Sequence, residues 1–301
     1  MNAARVDGAT RADAARAPIG LIAGSGVLPL LVAQGIRAAG LRVVCIGLHD
    51  HFHPDLPRHC DRFSRAGVLQ IGRWIRLMRA AGARDAVMVG RVKKATMYRP
   101  LQLLRQLPDL RTVLLYYRRL RFDRRSPALL AAVAEELAAS GVHLMDSTRF
   151  IPDHIATEGV MGRTVPTASQ QRDIDFGWPI LQSVANLGIG QAITVRDCDV
   201  IAVEAMEGTD ATIDRTAAIC RRMGWTMLKT THDSHDLRAD VPTVGIQTVE
   251  RIAAAGGRVL ALGAGRVIML QREELIAAAD RLGVALVGIR GAEHDPRPTL
   301  P

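Results

Sequence analysis

The feature that most constrains this chain is an alternation, over residues 19–90, between short β-branched runs and longer segments of helical period. Residues 19–23 (IGLIA) form an apolar run ending in Gly24-Ser25-Gly26, and helical spacing follows over 27–39. Residues 42–48 (RVVCIGL) are short and β-branched, 68–81 return to helical spacing, and 85–90 (DAVMVG) read as another strand. Apolar residues at helical spacing bury one stripe of a helix, whereas a short continuous apolar run suits a strand covered on both faces. Strand, helix, strand, then helix and strand again implies a parallel sheet with helices on its faces. Gly40 and Gly82 stand where helix C-caps are expected.

Residues 100–140 read as helical throughout, strongest over 127–139, where Ser126 takes the N-cap and Pro127 the first helical position. Residues 143–146 (HLMD) return to strand. From Arg149 to about Asp175 the periodicity fades and Pro152, Pro166, glycine, threonine and serine accumulate. Two β-rich runs over 192–205 then turn near Asp197-Cys198-Asp199, and helices at 211–223, 247–255 and 272–282 alternate with strands at 226–230, 259–262 and 285–289. The expected organisation is α/β, with two α/β domains joined by a linker. A tail covers 1–18, an N-terminal domain 19–148, a linker and interdomain segment 149–190, a C-terminal domain 191–291, and a second tail 292–301.

With 301 residues, 48% apolar and 23% charged, the chain has room for two domains and is not a wholesale disordered sequence. No apolar run reaches the roughly 18–20 residues that span a bilayer, and residues 1–18 lack the apolar core of a secretory signal. The expected location is cytoplasmic, or peripheral on the cytoplasmic side of a membrane. Net charge is +9, and of 39 basic residues only Lys93, Lys94 and Lys229 are lysine. Such an excess suits an anionic partner. Aromatic residues make up 4%, too few for a base-stacking platform, so nucleic acid is not expected; a phosphorylated substrate or an anionic lipid surface remains. Arg118, Arg119, Arg121, Arg124 and Arg125 form the densest basic run, either a solvated helix end or a headgroup contact. The four cysteines form no Cys-x-x-Cys pair and are expected as reduced thiols.

Three segments could carry chemistry. Gly24-Ser25-Gly26 joins a strand to a helix, where backbone amides favour an anion. A dinucleotide fingerprint needs a further glycine where Pro29 stands, and an acid at the end of the second strand where Ile46-Gly47-Leu48 stands, which counts against an NAD enzyme. In Ala202-Val203-Glu204-Ala205-Met206-Glu207-Gly208-Thr209-Asp210 a strand delivers two carboxylates and opens a helix. Thr209 or Asp210 could cap that helix, or Glu207 and Asp210 could bind a hard cation beside a phosphate. The third segment, 231–242, places Asp233, Asp236, Asp240, His232, His235 and Arg238 after a strand, where open α/β sheets place ligands. A solvated polar loop is its bland alternative. The histidines at 49, 51, 53 and 59 lack closed zinc spacing and read as a polar loop.

Residues 20–29 (GLIAGSGVLP), Gly90-Arg91-Val92-Lys93, Gly190-Gln191, 202–211 (AVEAMEGTDA) and 236–245 (DLRADVPTVG) occur in the order found in a known family. Together they resemble the metal-dependent UDP-2,3-diacylglucosamine pyrophosphatases of lipid A biosynthesis, in the non-calcineurin class of alphaproteobacteria. The resemblance spans about residues 19–290 and implies a Rossmann-like first domain and hydrolysis of a pyrophosphate to UMP and lipid X. It implies Mg²⁺ or Mn²⁺ held by Glu207, Asp210 and Asp236, with Asp236 the catalytic carboxylate. Substrate contacts are implied for Gly24, Gly26, Lys93, Gln191, Thr209 and Arg238. Its partners are a nucleotide-linked acylated sugar and, peripherally, the inner-membrane surface; a homodimer stays open. Arg124-Arg125-Ser126, Gly188, Gly263 and His232-Asp233-Ser234-His235 stand where that family carries other residues, several of them acidic. The alternative is a diverged nucleotide-sugar or lipid-phosphate binding protein.

Overall fold

The structure is a computed structural model, and it describes residues 17–48, 52–91, 107–121, 126–232 and 241–290. The chain divides into two compact units, the first ending at Ile151 and the second beginning at Pro152. Both are α/β.

The first unit is built on five parallel strands: β1 (Ile19–Ala23), β2 (Val43–Leu48), β3 (Arg62–Ala66), β4 (Asp85–Val89) and β5 (His143–Leu144), in the order β3-β2-β1-β4-β5. β1 and β2 are buried along their whole length, which is why they read as continuous apolar runs. α1 (Leu28–Ala38) follows β1 and buries Val32, Ala33 and Ile36, and α2 (Ile71–Ala80) precedes β4. Ile71, Trp74, Ile75 and Met78 of α2 join Ile22, Ile46 and Ala86 of the sheet in one core cluster. α3 (Leu110–Leu115) continues into a π-helical stretch, Tyr116–Leu120, and α4 (Ser126–Ala139) adds Ala132, Val133 and Leu137 to the same core. Strand β3 escapes the sequence pattern because it is an edge strand, polar and half-exposed apart from Ala66.

The second unit carries a mixed six-stranded sheet in the order β6-β13-β11-β9-β7-β8. Its strands are β6 (Gly159–Val160), β7 (Ala192–Arg196), β8 (Asp199–Val203), β9 (Trp225–Lys229), β11 (Gly257–Gly263) and β13 (Ala285–Ile289). The short strands β10 (Thr243–Val244) and β12 (Ile268–Met269) pair separately. Strands β9, β11 and β13 are parallel, while β7, β8 and β6 run antiparallel to their neighbours. Side chains alternate between two cores. Met227, Leu260, Leu262 and Leu286 face one, with α6 (Thr209–Ile219), α7 (Ile246–Ala254) and α8 (Arg272–Leu282) contributing Ile213, Val249 and Leu275. Leu228, Val259, Ala261 and Val287 face the other, packed with α5 (Ala168–Asn186). The β7–β8 turn at Asp197 and Cys198 has φ of 52° and 56°, the left-handed pair that a tight hairpin demands.

The expected linker 149–190 contains α5, a 19-residue helix. Thr167 and Gln170 form a reciprocal capping box at its start, and Ile174, Trp178 and Leu181 are buried against the sheet. Gly177 and Pro179 inside the helix hide its period in the sequence. Gly177 is needed because a Cβ there would sit 2.8 Å from a methyl of Val195. All four cysteines are free thiols; only Cys45 is buried, and Cys60 lies beside it. Among the described residues no helix is long and apolar enough to cross a membrane.

Candidate active site

Two sheet edges hold the segments singled out by the sequence. In the first unit the chain winds away from β1 in opposite directions through β2 and β4, so the β1/β4 edge is the topological switch point where such sheets commonly bind ligands. Gly24 and Gly26 leave β1 there. The Gly24 amide, expected to face a ligand, instead donates to the Val89 carbonyl at 2.8 Å. Ser25 and Arg91 exchange backbone bonds of 2.9 and 3.0 Å, and the Ser25 hydroxyl adds a third bond to the Arg91 carbonyl at 2.8 Å. Gly24 and Gly90 are in backbone contact, and a Cβ on Gly24 would lie 2.7 Å from the Gly90 carbonyl carbon. The glycines therefore serve close approach of two chain segments. Gly26, with φ of 101°, has open space where a side chain would be. Lys93 lies outside the described residues.

In the second unit the C-terminal end of β9 meets the start of β7, because the two strands run antiparallel with Lys229 opposite Ala192. Gln191 precedes β7 and accepts the Thr230 amide on its carbonyl at 3.0 Å. Glu204 follows β8, and its amide donates to the Ala192 carbonyl at 2.8 Å. Gly190 makes this crossing sterically feasible, since a Cβ there would fall 1.8 Å from the Glu204 carbonyl oxygen. Gly208 caps α6 with φ of 83° and directs Thr209 back toward the sheet.

These elements assemble a buried polar triad. Lys229 is 3% exposed and Glu204 8%. The Lys229 Nζ lies 3.3 Å from Glu204 Oε2 and donates to Thr209 Oγ1 at 2.8 Å, while Thr209 Oγ1 donates to Glu204 Oε1 at 2.9 Å. A buried ion pair recovers its desolvation cost only when further hydrogen bonds satisfy both groups, and the Thr209 hydroxyl supplies one to each. Thr209 and Gln191, both expected at the site, are thus brought to one edge. The sequence pattern gives Glu204 no role within the acidic segment and marks Lys229 only as one of three lysines. A lysine closing a strand that is buried along its whole length is the signal available in the sequence.

Glu207 and Asp210, expected to hold a cation, are held by bases. Glu207 accepts the Ala205 amide at 3.2 Å and pairs with Arg215 at 2.9 Å. Its carboxyl is held below the ordinary range, first by its own backbone N–H and further by Arg215, the Ala205 amide and the Thr212 hydroxyl, against a partial desolvation. Asp210 pairs with Arg251 at 3.2 Å. Among the described residues no group of three or more histidines, cysteines or carboxylates is arranged to hold a metal ion. Asp236 and Arg238 lie outside the described residues. Of the positions that depart from the resembled family, Gly263 is packed so closely on Thr230 that a Cβ would be 2.3 Å from its hydroxyl, whereas Gly188, at φ of 68°, has open space around it.

The arrangement can do two things chemically. The start of α6 offers backbone amides and a helix N-terminus to an anion, and the triad fixes the Thr209 hydroxyl and the Lys229 charge beside it. An LpxI N-terminal domain model matches residues 18–154, and an LpxI C-terminal domain model matches 157–287. The UDP-2,3-diacylglucosamine pyrophosphatase LpxI of Caulobacter vibrioides is 30% identical over 284 residues, spanning 92% of this chain and 99% of that relative. Both domain models in order, meeting where the fold passes from one unit to the next, together with a relative matched along nearly its whole length, establish that this chain belongs to the LpxI family.

Proposed function

We propose that the chain hydrolyses the pyrophosphate of UDP-2,3-diacylglucosamine to UMP and lipid X, as a step of lipid A biosynthesis. The observation that carries this reading is the Lys229–Glu204–Thr209 triad, built from the family segment 202–211 and the last residue of β9, the strand that precedes Asp236 in the sequence. The pyrophosphate binds at the N-terminus of α6, against the backbone of residues 208–210, with the Lys229 charge fixed behind Thr209. Preorganised positive charge and donors of this kind stabilise the charge that develops on phosphate oxygens during displacement. Asp236 acts as the catalytic carboxylate, with Arg238 and Lys93 as further cationic contacts and Gln191 and Gly26 lining the substrate.

Mg²⁺ or Mn²⁺ is proposed as the cofactor, because oxygen ligands suit hard cations. The carboxylates described at this edge are committed to Lys229, Arg215 and Arg251, so they do not by themselves fit a cation. When bound, such an ion would neutralise phosphate charge. Incubation with UDP-2,3-diacylglucosamine should release UMP, EDTA should stop the release, and added Mg²⁺ or Mn²⁺ should restore it. Undiminished turnover in an EDTA-treated, metal-free sample would remove the cation from the reading. Asp236→Ala should abolish UMP release while leaving the thermal midpoint unchanged; wild-type rates in that variant would remove Asp236.

The second reading, binding without turnover, is favoured by the pairing of the described acids at this edge, each of which lies against a base, with Arg251 shared between Asp210 and Asp214, and by Gly263, which leaves no room for another side chain. Calorimetry with lipid X beside the UMP assay separates the two. Heat of binding without UMP release selects the binder. An NAD enzyme is disfavoured further by the Ser25–Arg91 bridge across the first sheet edge.

A further inference from the structure

Seven arginines lie on α2 and residues 107–121, Arg73, Arg76, Arg79, Arg111, Arg118, Arg119 and Arg121, against Asp109 and two acids of α4: Glu136 pairs with Arg111 at 3.1 Å and Glu135 with Arg119, so the face keeps a net positive charge. Asp109 has no charge to spare for a partner. It caps α3 by accepting the Thr112 amide at 2.9 Å, and it caps α2 by accepting the Arg73 amide at 3.1 Å. Thr112 completes the lock by accepting the Ile71 amide at 3.2 Å. The start of α3 therefore caps both helices, which ties α3 to the first turn of α2. A cleft of about 640 Å³ lies between them, with Arg76, Arg79 and Arg111 around it and Ile75 and Leu110 among its apolar lining.

Beside this cleft α3 turns an apolar stripe outward. Leu110, Leu114 and Tyr117 recur at i, i+4 and i+7 and are 83%, 44% and 63% exposed, although the same helix buries Leu115 in the core. Leu107 just before them is 59% exposed. An outward apolar stripe flanked by arginine is the pattern of a helix lying in a lipid–water interface, with leucine and tyrosine at the acyl boundary and guanidinium on phosphate. A second copy of the chain fits less well, since joining two such faces would set like charges together. A nucleic acid backbone would leave the leucines in water.

We infer that α3, the following π-helical stretch and the Arg76–Arg79–Arg111 cleft form the surface by which this protein docks on an anionic lipid bilayer. The inference deepens the reading of the substrate as an acylated sugar, which would reside in such a bilayer, but its test does not depend on turnover.

The full chain is sedimented with vesicles of phosphatidylcholine alone, and of phosphatidylcholine and phosphatidylglycerol in equal parts. Binding is expected to the anionic vesicles, weakening as salt is raised. Arg79→Glu and Arg118→Glu should each weaken it by roughly fivefold or more, from the energy of one basic side chain at an anionic surface. Leu110→Asp with Tyr117→Ser should reduce it to the level of neutral vesicles, whereas Leu187→Asp, at an apolar position 74% exposed in the second unit, should change nothing. Thermal melting checks that each variant is folded. No binding to anionic vesicles, or equal losses in the Leu187 control, would overturn the inference. So would light scattering that shows a dimer dissociated by Leu110→Asp. UMP release from detergent-dispersed substrate is read in parallel. Retained turnover in a variant that no longer sediments supports docking as a separate property, and vesicle binding without any turnover faults the activity reading instead.

Discussion

The two sheet edges, one between parallel strands and one between antiparallel strands, reach opposite ends. At the β1/β4 edge of the first unit, backbone meets backbone: Gly24 and Gly90 touch, and Ser25 and Arg91 pair across the switch point. At the β9/β7 edge of the second unit, side chains meet: Lys229, Glu204 and Thr209 close a buried triad. Glycine appears at both for the same reason, since Gly24 and Gly190 each allow two segments closer than a Cβ would permit. The difference lies in what that closeness brings together. Backbone pairing satisfies every group it buries and leaves little chemistry behind. A buried charge pair concentrates functional groups, and it makes the edge sensitive to mutation.

The largest test of this contrast is Lys229→Met. It leaves the Glu204 carboxylate buried beside a hydroxyl alone, so unfolding free energy should fall by about 3–5 kcal/mol, and UMP release should be lost. Adding Glu204→Gln to Lys229→Met should return much of the stability but none of the turnover. Urea unfolding of the two variants measures this, and equal stabilities would mean that the pair is not coupled as drawn.

Next comes the steric requirement. Gly190→Ala forces a methyl into the Glu204 carbonyl and should cost at least the upper end of the about 1–3 kcal/mol typical of overpacking, with a matching fall in activity. Gly24→Ala meets its neighbour at a longer distance and should cost less stability. A larger loss in Gly24→Ala would reverse the ranking of the two edges. Gly188→Asp is milder: its side chain enters open space, so only the left-handed backbone is penalised, by about 1 kcal/mol. Combined with His235→Gln, it should raise the rate of UMP release if acids near this edge are what limits turnover.

The smallest effect is one of pH. Glu207 titrates below the ordinary carboxylate range in the folded chain, so its bonds to the Ala205 amide and Arg215 contribute fully above the unfolded-state pKa. That contribution is lost as pH falls through the lowered folded value. Thermal midpoints taken from neutral to acid pH should therefore drop slightly less for Glu207→Gln than for wild type. Ser25→Ala, at an edge without a titrating partner in its bridge, should follow the wild-type pH curve; divergence there would undo the distinction between the edges.

How much of this was legible in the chain follows the same physics. Strands β1, β2, β9 and β13 announce themselves because both faces are buried and nearly every residue must be apolar. β3 does not, because an edge strand is held by backbone bonds to β2 that any side chain can make. α5 is hidden by Gly177 and Pro179, yet its burial against β7 and β9 outweighs their low propensity. The acidic segment around Glu204 and the threonine that follows it could be singled out as a candidate from local pattern alone. Pairing Glu204 with Lys229 could not, because two residues 25 positions apart are brought together only by the antiparallel register of β7 with β9 and of β8 with β7.

What the sequence by itself determined is the class of fold, the two-unit organisation and the membership that its motifs signalled, because those depend on periodicity and on short contiguous segments. Tertiary structure decided which partners those segments met. It turned the glycines after β1 into a backbone seam, placed Glu207 and Asp210 against Arg215 and Arg251, and closed the triad around Lys229. The reason is that charge and hydrogen bonding are settled by whichever partner lies nearest in space, and a linear pattern does not specify that partner.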